Sequence, residues 1–217
     1  KMLDEVEDSK EKYNISFKIF KEYKSFINDS ALTYIEKCIE FADKINRKDL
    51  SDNCKSLLAF QCSTAGMYTE SLDILRSINK KHLKKEGLGN YYIAFNHVYG
   101  ELSYYTQLNH LRAFYADKAN AYRDSVYYTV DPSCEDYLLK KEIQLVNENR
   151  LEEALKVNDE RLKKVTYGTH EYAIVSYYRS QIFRSMNQLD SVKCWLALSA
   201  ISDIRNSVMD HASLWNL

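Results

Sequence analysis

One pattern returns along this chain and narrows what it can fold into. A small residue heads an apolar stripe: Ala31 is followed by Ile35, Cys38 and Ala42, and Ser71 by Leu75 and Ile78. Spacing of this kind places each set on one face of an α-helix. Less regular copies start at Ala154 and at Ser191, the latter followed by Leu196 and Ser199. From Ala31 through Ser71 and Ala154 to Ser191 the steps are 40, 83 and 37 residues, so the middle step hides one more unit. Five units fit the length.

Each stripe follows a second helix-like stretch, such as 50–64 before the second copy and 135–147 before the fourth. The unit is therefore a helical hairpin. The hidden unit uses 90–105 as its first helix and 107–127 as an extended second helix. Connectors agree: Ala65-Gly66-Met67-Tyr68, Asn147-Glu148-Asn149-Arg150 and Ser185-Met186-Asn187-Gln188 hold residues that leave a helix easily. Asp131-Pro132-Ser133 places Pro132 at or near a first helical turn. One Pro and five Gly in the chain suit helices, because a proline inside a helix costs about 3 kcal/mol. A lone hairpin cannot bury its apolar face, whereas stacked hairpins share a core, with small residues where helices approach closely. Most aromatics are read as part of that core.

The small-xxx-large-xx-small stripe resembles the second helix of tetratricopeptide repeats. Leu58-Ala59 followed by Cys62, and Tyr178-Arg179 followed by Ile182, stand in the places of that family's Leu-Gly and Tyr. Arg179 departs from the small residue, the repeat-ending Pro is missing, and the spacing exceeds the usual length. The resemblance implies an all-α, tetratricopeptide-like right-handed superhelix of about five hairpins. Its approximate repeats are 11–46, 48–80, 83–129, 132–165 and 168–203, with a capping or linking helix at 204–217. There Ile204, Val208, Leu214 and Trp215 prolong an apolar pattern.

At the N-terminus, Leu3-Asp4 precedes Tyr13, and Glu22-Tyr23-Lys24-Ser25-Phe26-Ile27-Asn28-Asp29-Ser30-Ala31-Leu32 follows. This looks like the start of the tetratricopeptide sensor region in transcriptional regulators of gut Bacteroidetes, similar to the regulator of a starch-utilisation system. The resemblance implies a periplasmic repeat region, flanked in the whole protein by a signal sequence, a membrane span and a DNA-binding domain. Without it, a cytoplasmic scaffold is expected.

Little in the residues points to chemistry. His82, His97, His110, His170 and His211 form no HExxH or other compact ligand set, so no metal and no cofactor is expected. Cys38, Cys54, Cys62, Cys134 and Cys194 contain no CxxC; Cys38, Cys62 and Cys194 are read as small buried hydrophobes. Glycine loops for nucleotide phosphates are absent, and no catalytic residue or nucleophile emerges, so the chain is read as non-enzymatic. A net charge of -1 argues against nucleic acid as a partner of this segment. The basic run Lys80, Lys81, His82, Lys84 and Lys85 is read as a solvated loop, with an anionic partner site as the alternative, and Glu152-Glu153 and Lys163-Lys164 as solvated helix faces. No stretch reaches membrane-span length.

In tetratricopeptide arrays the first helices line the binding face. Carrying those positions over gives Tyr13, Phe20 and Tyr23, then Asn53, Ser56 and Phe60, then His97, Glu101 and Tyr104, and last Ser176 and Ser180. Rings beside polar groups suit an extended peptide or a partner helix. The expected function is a sensory or interaction module with a protein or peptide partner; a glycan is the alternative ligand and a homodimer an option. The membrane enters only through flanking segments.

Overall fold

A computed structural model describes residues 7–24 and 28–206, and within them the regular structure is helical. Ten α-helices follow one another there: α1 (Ser9–Tyr23), α2 (Asn28–Lys44), α3 (Lys48–Thr64), α4 (Tyr68–Ser77), α5 (Lys85–Tyr105), α6 (Asn109–Thr129), α7 (Glu135–Asn147), α8 (Leu151–Leu162), α9 (His170–Ser185) and α10 (Leu189–Arg205). The chain divides into two compact units, Lys1–Val130 and Asp131–Leu217. In the first, α1 packs on α2, α3 on α4 and α5 on α6, while α2 meets α3 and α3 lies beside α5. In the second, α7 packs on α8, α8 on α9 and α9 on α10.

Four short reversals share one geometry. Asn46, Gly66, Asn149 and Asn187 take left-handed φ values of 55, 80, 58 and 59°. Each donates its N–H three residues back, to Asp43, Ser63, Val146 and Arg184. The next residue of each turn, Arg47, Met67, Arg150 or Gln188, donates five back, to Ala42, Cys62, Leu145 or Phe183. This is the Schellman closure, which satisfies carbonyls that a helix end leaves open. Glycine, and next asparagine, tolerates the left-handed conformation at low cost. The same four following residues are N-caps, so the new helix starts at once.

Ala31, Ile35, Cys38 and Ala42 are wholly buried, as are Ser71 and Leu75. Ser71 Oγ donates to the Ala59 carbonyl at 2.7 Å and Ser199 Oγ to the Ala173 carbonyl at 2.8 Å. A small hydroxyl thus lets two helices close and joins their backbones. In the last hairpin the buried stripe is Val192, Leu196 and Ser199, one residue later than a start at Ser191, which is only half-buried. Cys194, expected in the core, is exposed because it lies off that stripe.

The hidden third hairpin is built from rings instead of small residues. Phe95 and Tyr99 of α5 stack on Tyr122 of α6, with centroids 4.4 and 5.8 Å apart and planes within 5 and 9°. Helix α5 begins at Lys85, earlier than expected, so Gly87 is helical rather than in a loop. A Cβ on Gly87 would stand 3.1 Å from Leu83 and 3.3 Å from the Asn53 side chain, so the close approach of α5 to α3 uses its missing side chain. Ile204 near the end of α10 is exposed. Leu3, Asp4, Ser25, Phe26, Ile27, Val208, His211, Leu214 and Trp215 lie outside the described residues.

Candidate functional site

Of the eleven residues expected on a binding face, five belong to the interior. Tyr13 and Phe20 are 8 and 4% exposed, in the cluster that joins α1, α2 and α3. Ser56, Ser176 and Ser180 are wholly buried, Ser56 bonded to the Asp52 carbonyl and Ser180 to that of Tyr177. Their helices turn these positions toward neighbours, not solvent. Tyr23 is half-buried and stacks on Tyr34 of α2, 6.0 Å between centroids.

The other five, Asn53, Phe60, His97, Glu101 and Tyr104, lie on α3 and α5, which run side by side. Asn90 Nδ2 donates to Asn53 Oδ1 at 2.9 Å. Two helical turns on, the Phe60 and His97 rings meet at 4.6 Å, and His97 Nδ1 is 2.7 Å from Ser63 Oγ. Farther on, Tyr68 stacks on Tyr105 at 6.4 Å, and Tyr104 meets Tyr105 edge-on at 5.0 Å. The pairs 53/90, 60/97 and 68/105 have one common sequence separation, so each side chain faces its counterpart in the next hairpin. Ser63, Tyr68, Asn90 and Tyr105 were missed by sequence reasoning; that common separation is the signal that would have found Tyr68, Asn90 and Tyr105, whereas Ser63 meets His97 outside it.

The seam changes character along its length. Its Tyr104 end is open and apolar: Tyr104 is 78% exposed, and Tyr105 and Leu108 are more than half exposed. Burial, then the Glu101 charge and Tyr105, push the Tyr68 phenol above its ordinary range. The end near α3's start is polar and internally paired. His82 Nδ1 lies 2.7 Å from Asp52 Oδ2, and Lys84 Nζ 3.0 Å from Asp49 Oδ2. Arg47 beside Asp49, with Lys84, holds that carboxyl far below the usual carboxylate range against the effect of burial. Two of the five residues in the basic run expected to be a solvated loop, His82 and Lys84, are thus paired with carboxylates of α3, with Lys80–His82 as a single 3-10 turn.

The second unit holds a buried polar network. Arg161, 0% exposed, donates from Nη1 to Glu142 at 2.7 Å and from Nε to Glu135 at 2.9 Å. Glu142, 1% exposed, also accepts from Asn158, which reaches the Val175 carbonyl at 3.1 Å. Arg179 donates to Asn158 and Asp159 and lies over the Trp195 ring, 4.9 Å from its centroid. Burial raises the Glu142 carboxyl above its ordinary range, with Arg161 opposing. These groups are paired with each other, which makes them a structural core.

Among the described residues no group of three or more His, Cys, Asp or Glu is disposed to hold a metal ion, and no helix is long and apolar enough to cross a membrane. Antiparallel hairpins with small residues at close helix contacts, and first helices side by side along a contact seam, define a tetratricopeptide-type helical repeat domain. Within that class, the family model described as the SusR N-terminal TPR domain matches residues 1–217, and the chain belongs to that family. Neither a curated protein nor a solved structure matches it.

Proposed function

We propose that this domain is the non-enzymatic sensory part of a transcriptional regulator, lying in the periplasm, and that the α3/α5 seam binds a protein or peptide partner. The observation that carries this is the run of paired side chains from Asn53/Asn90 to Tyr68/Tyr105, ending in the exposed Tyr104, Tyr105 and Leu108. Rings exposed beside amide, imidazole and carboxylate groups suit an extended backbone, whose apolar side chains cover rings while its amides meet polar groups. Membership of the family supports the regulator context.

Pull-down from envelope extract tests the seam. Phe60→Ala and Tyr104→Ala are each expected to lower recovery of the partner about tenfold, the loss of one moderate interface anchor. Tyr128→Ala, on α6 and 91% exposed, serves as a surface control expected to change nothing. Equal recovery by all four proteins would reject this site. A glycan is the second reading, favoured by the exposed Tyr104 and Tyr105 rings; calorimetric heat with an oligosaccharide, lost in Tyr104→Ala, would replace the peptide reading.

A further inference from the structure

Two neighbouring turns of the first unit carry almost no charge, although 28% of the chain is charged. No charged residue stands between Lys55 and Glu70, where α3 passes into α4, and no carboxylate between Glu101 and Asp117, where α5 passes into α6. The stack of Tyr68 on Tyr105 sets these turns side by side. Met67, Tyr104, Tyr105 and Leu108 are exposed there, followed by Phe114 in the second turn of α6. The tip is held in place: Ser103 Oγ donates to the Arg112 carbonyl, and Arg112 Nη2 to the Thr106 carbonyl, both at 3.1 Å. A Cβ on Gly66 would meet nothing within 4 Å, so the α3–α4 turn stands clear of its surroundings. Apolar residues scattered singly on a surface are ordinary, whereas several gathered at one end mark a contact site.

We propose that this tip docks on a lipid bilayer that carries anionic headgroups, a membrane contact separate from any flanking span. Protruding turns offer no groove for a peptide but fit a flat surface. Met67 and Leu108 reach the acyl boundary, while the tyrosine rings, apolar with a polar end, settle at headgroup level. Cations stand just behind them. Arg112 lies in the first turn of α6, and Lys118 Nζ is 5.5 Å from the centroid of the Phe114 ring. Both signs of the argument agree: basic groups near the surface attract anionic lipid, and the stretch that meets it holds no carboxylate to repel it. The periplasmic location proposed above puts the domain beside such a surface. The peptide seam extends away from the tip through Phe60 to Asn53, so the two sites meet only at Tyr104 and Tyr105.

The test is co-sedimentation of the chain with vesicles of phosphatidylcholine alone and of phosphatidylcholine mixed with phosphatidylglycerol. Binding is expected to the mixed vesicles and to weaken as salt is raised. Leu108→Ser and Phe114→Ser should each lower the partition coefficient about tenfold, the loss of one inserted side chain. Lys118→Gln should lower it about fivefold. All three side chains are exposed, and an unchanged helical circular dichroism signal checks that each variant is folded. Phe60→Ala, which removes a seam residue, should bind vesicles like the parent, so failure of the seam and failure of the tip are read separately. A parent that leaves mixed vesicles unbound at low salt, or serine variants that bind as well as the parent, would overturn the proposal. So would loss of the pull-down partner in Leu108→Ser from a parent that binds no vesicle, since the tip would then be a protein interface.

Discussion

Arg161→Met removes a guanidinium with no surface in water and leaves Glu142, 1% exposed, with Asn158 as its remaining partner in that network. Glu142 must then take up a proton or keep a charge in a dry core. Breaking a buried pair from one side costs about 3–5 kcal/mol, mostly the penalty on the partner left behind. Glu142→Gln should cost less, about 1.5–3 kcal/mol, because Arg161 keeps Glu135 while losing one charge-assisted bond. Replacing both, as Arg161→Met with Glu142→Leu, should return to within about 2 kcal/mol of the parent, since no charge is then stranded. Tryptophan fluorescence during urea unfolding reads this unit alone, because Trp195 and Trp215 both lie in Asp131–Leu217. With a slope of about 1 kcal/mol/M, the single arginine loss lowers the midpoint by roughly 3 M or unfolds the unit outright. A cost below about 1 kcal/mol, or a double variant worse than the sum of the singles, would refute the reasoning.

The same carboxyl gives a pH prediction. Its folded pKa is raised, so its contribution is fully present below the unfolded value of about 4.3 and is lost as pH rises through the folded value. The stability of the parent relative to Glu142→Gln should therefore fall as pH rises above about 4; a rise, read from urea midpoints, would mean a depressed carboxylate. Asn149→Ala should lose about 1 kcal/mol at its left-handed turn while Asn149→Gly stays near neutral, measured by the same unfolding. Asp52→Asn should weaken the hold on His82 and speed tryptic cutting at Lys80 and Lys81 several-fold, seen on a gel time course.

The first, second and last hairpins were readable because their stripes carry apolar residues and each is bordered by a Gly or Asn turn, at Asn46, Gly66 and Asn187; α7 falls on the expected 135–147 span. The third was hidden because rings at Phe95, Tyr99 and Tyr122 do the packing that small residues do elsewhere, and tyrosine at helical spacing does not reveal which helix it faces. Arg161 could not be recognised as core, since a lone arginine near Lys163-Lys164 reads as surface until Glu142 is known to face it. At the site, helix identity was legible but rotation was not. Transferring positions found Phe60 and His97, which meet, yet also chose Ser176 and Ser180, which point inward.

A stack of similar hairpins has a difficulty that single-core proteins avoid: a stripe that fits one neighbour fits others almost as well. The stripe positions occupied by Asn158 and Arg161 in α8 hold Ile35 and Cys38 in α2, Leu75 and Ile78 around α4, and Leu196 and Ser199 in α10. Docked against any of those partners' neighbours, α8 would bring a charge and an amide into hydrocarbon without Glu142 or Glu135 to receive them. Mispairing is thus penalised by several kcal/mol at one place, while the correct order offsets the cost of burying these charges by pairing them. The ion pair works as an address label, marking where α7 and α8 belong in a chain of lookalikes and steering folding away from swapped arrangements.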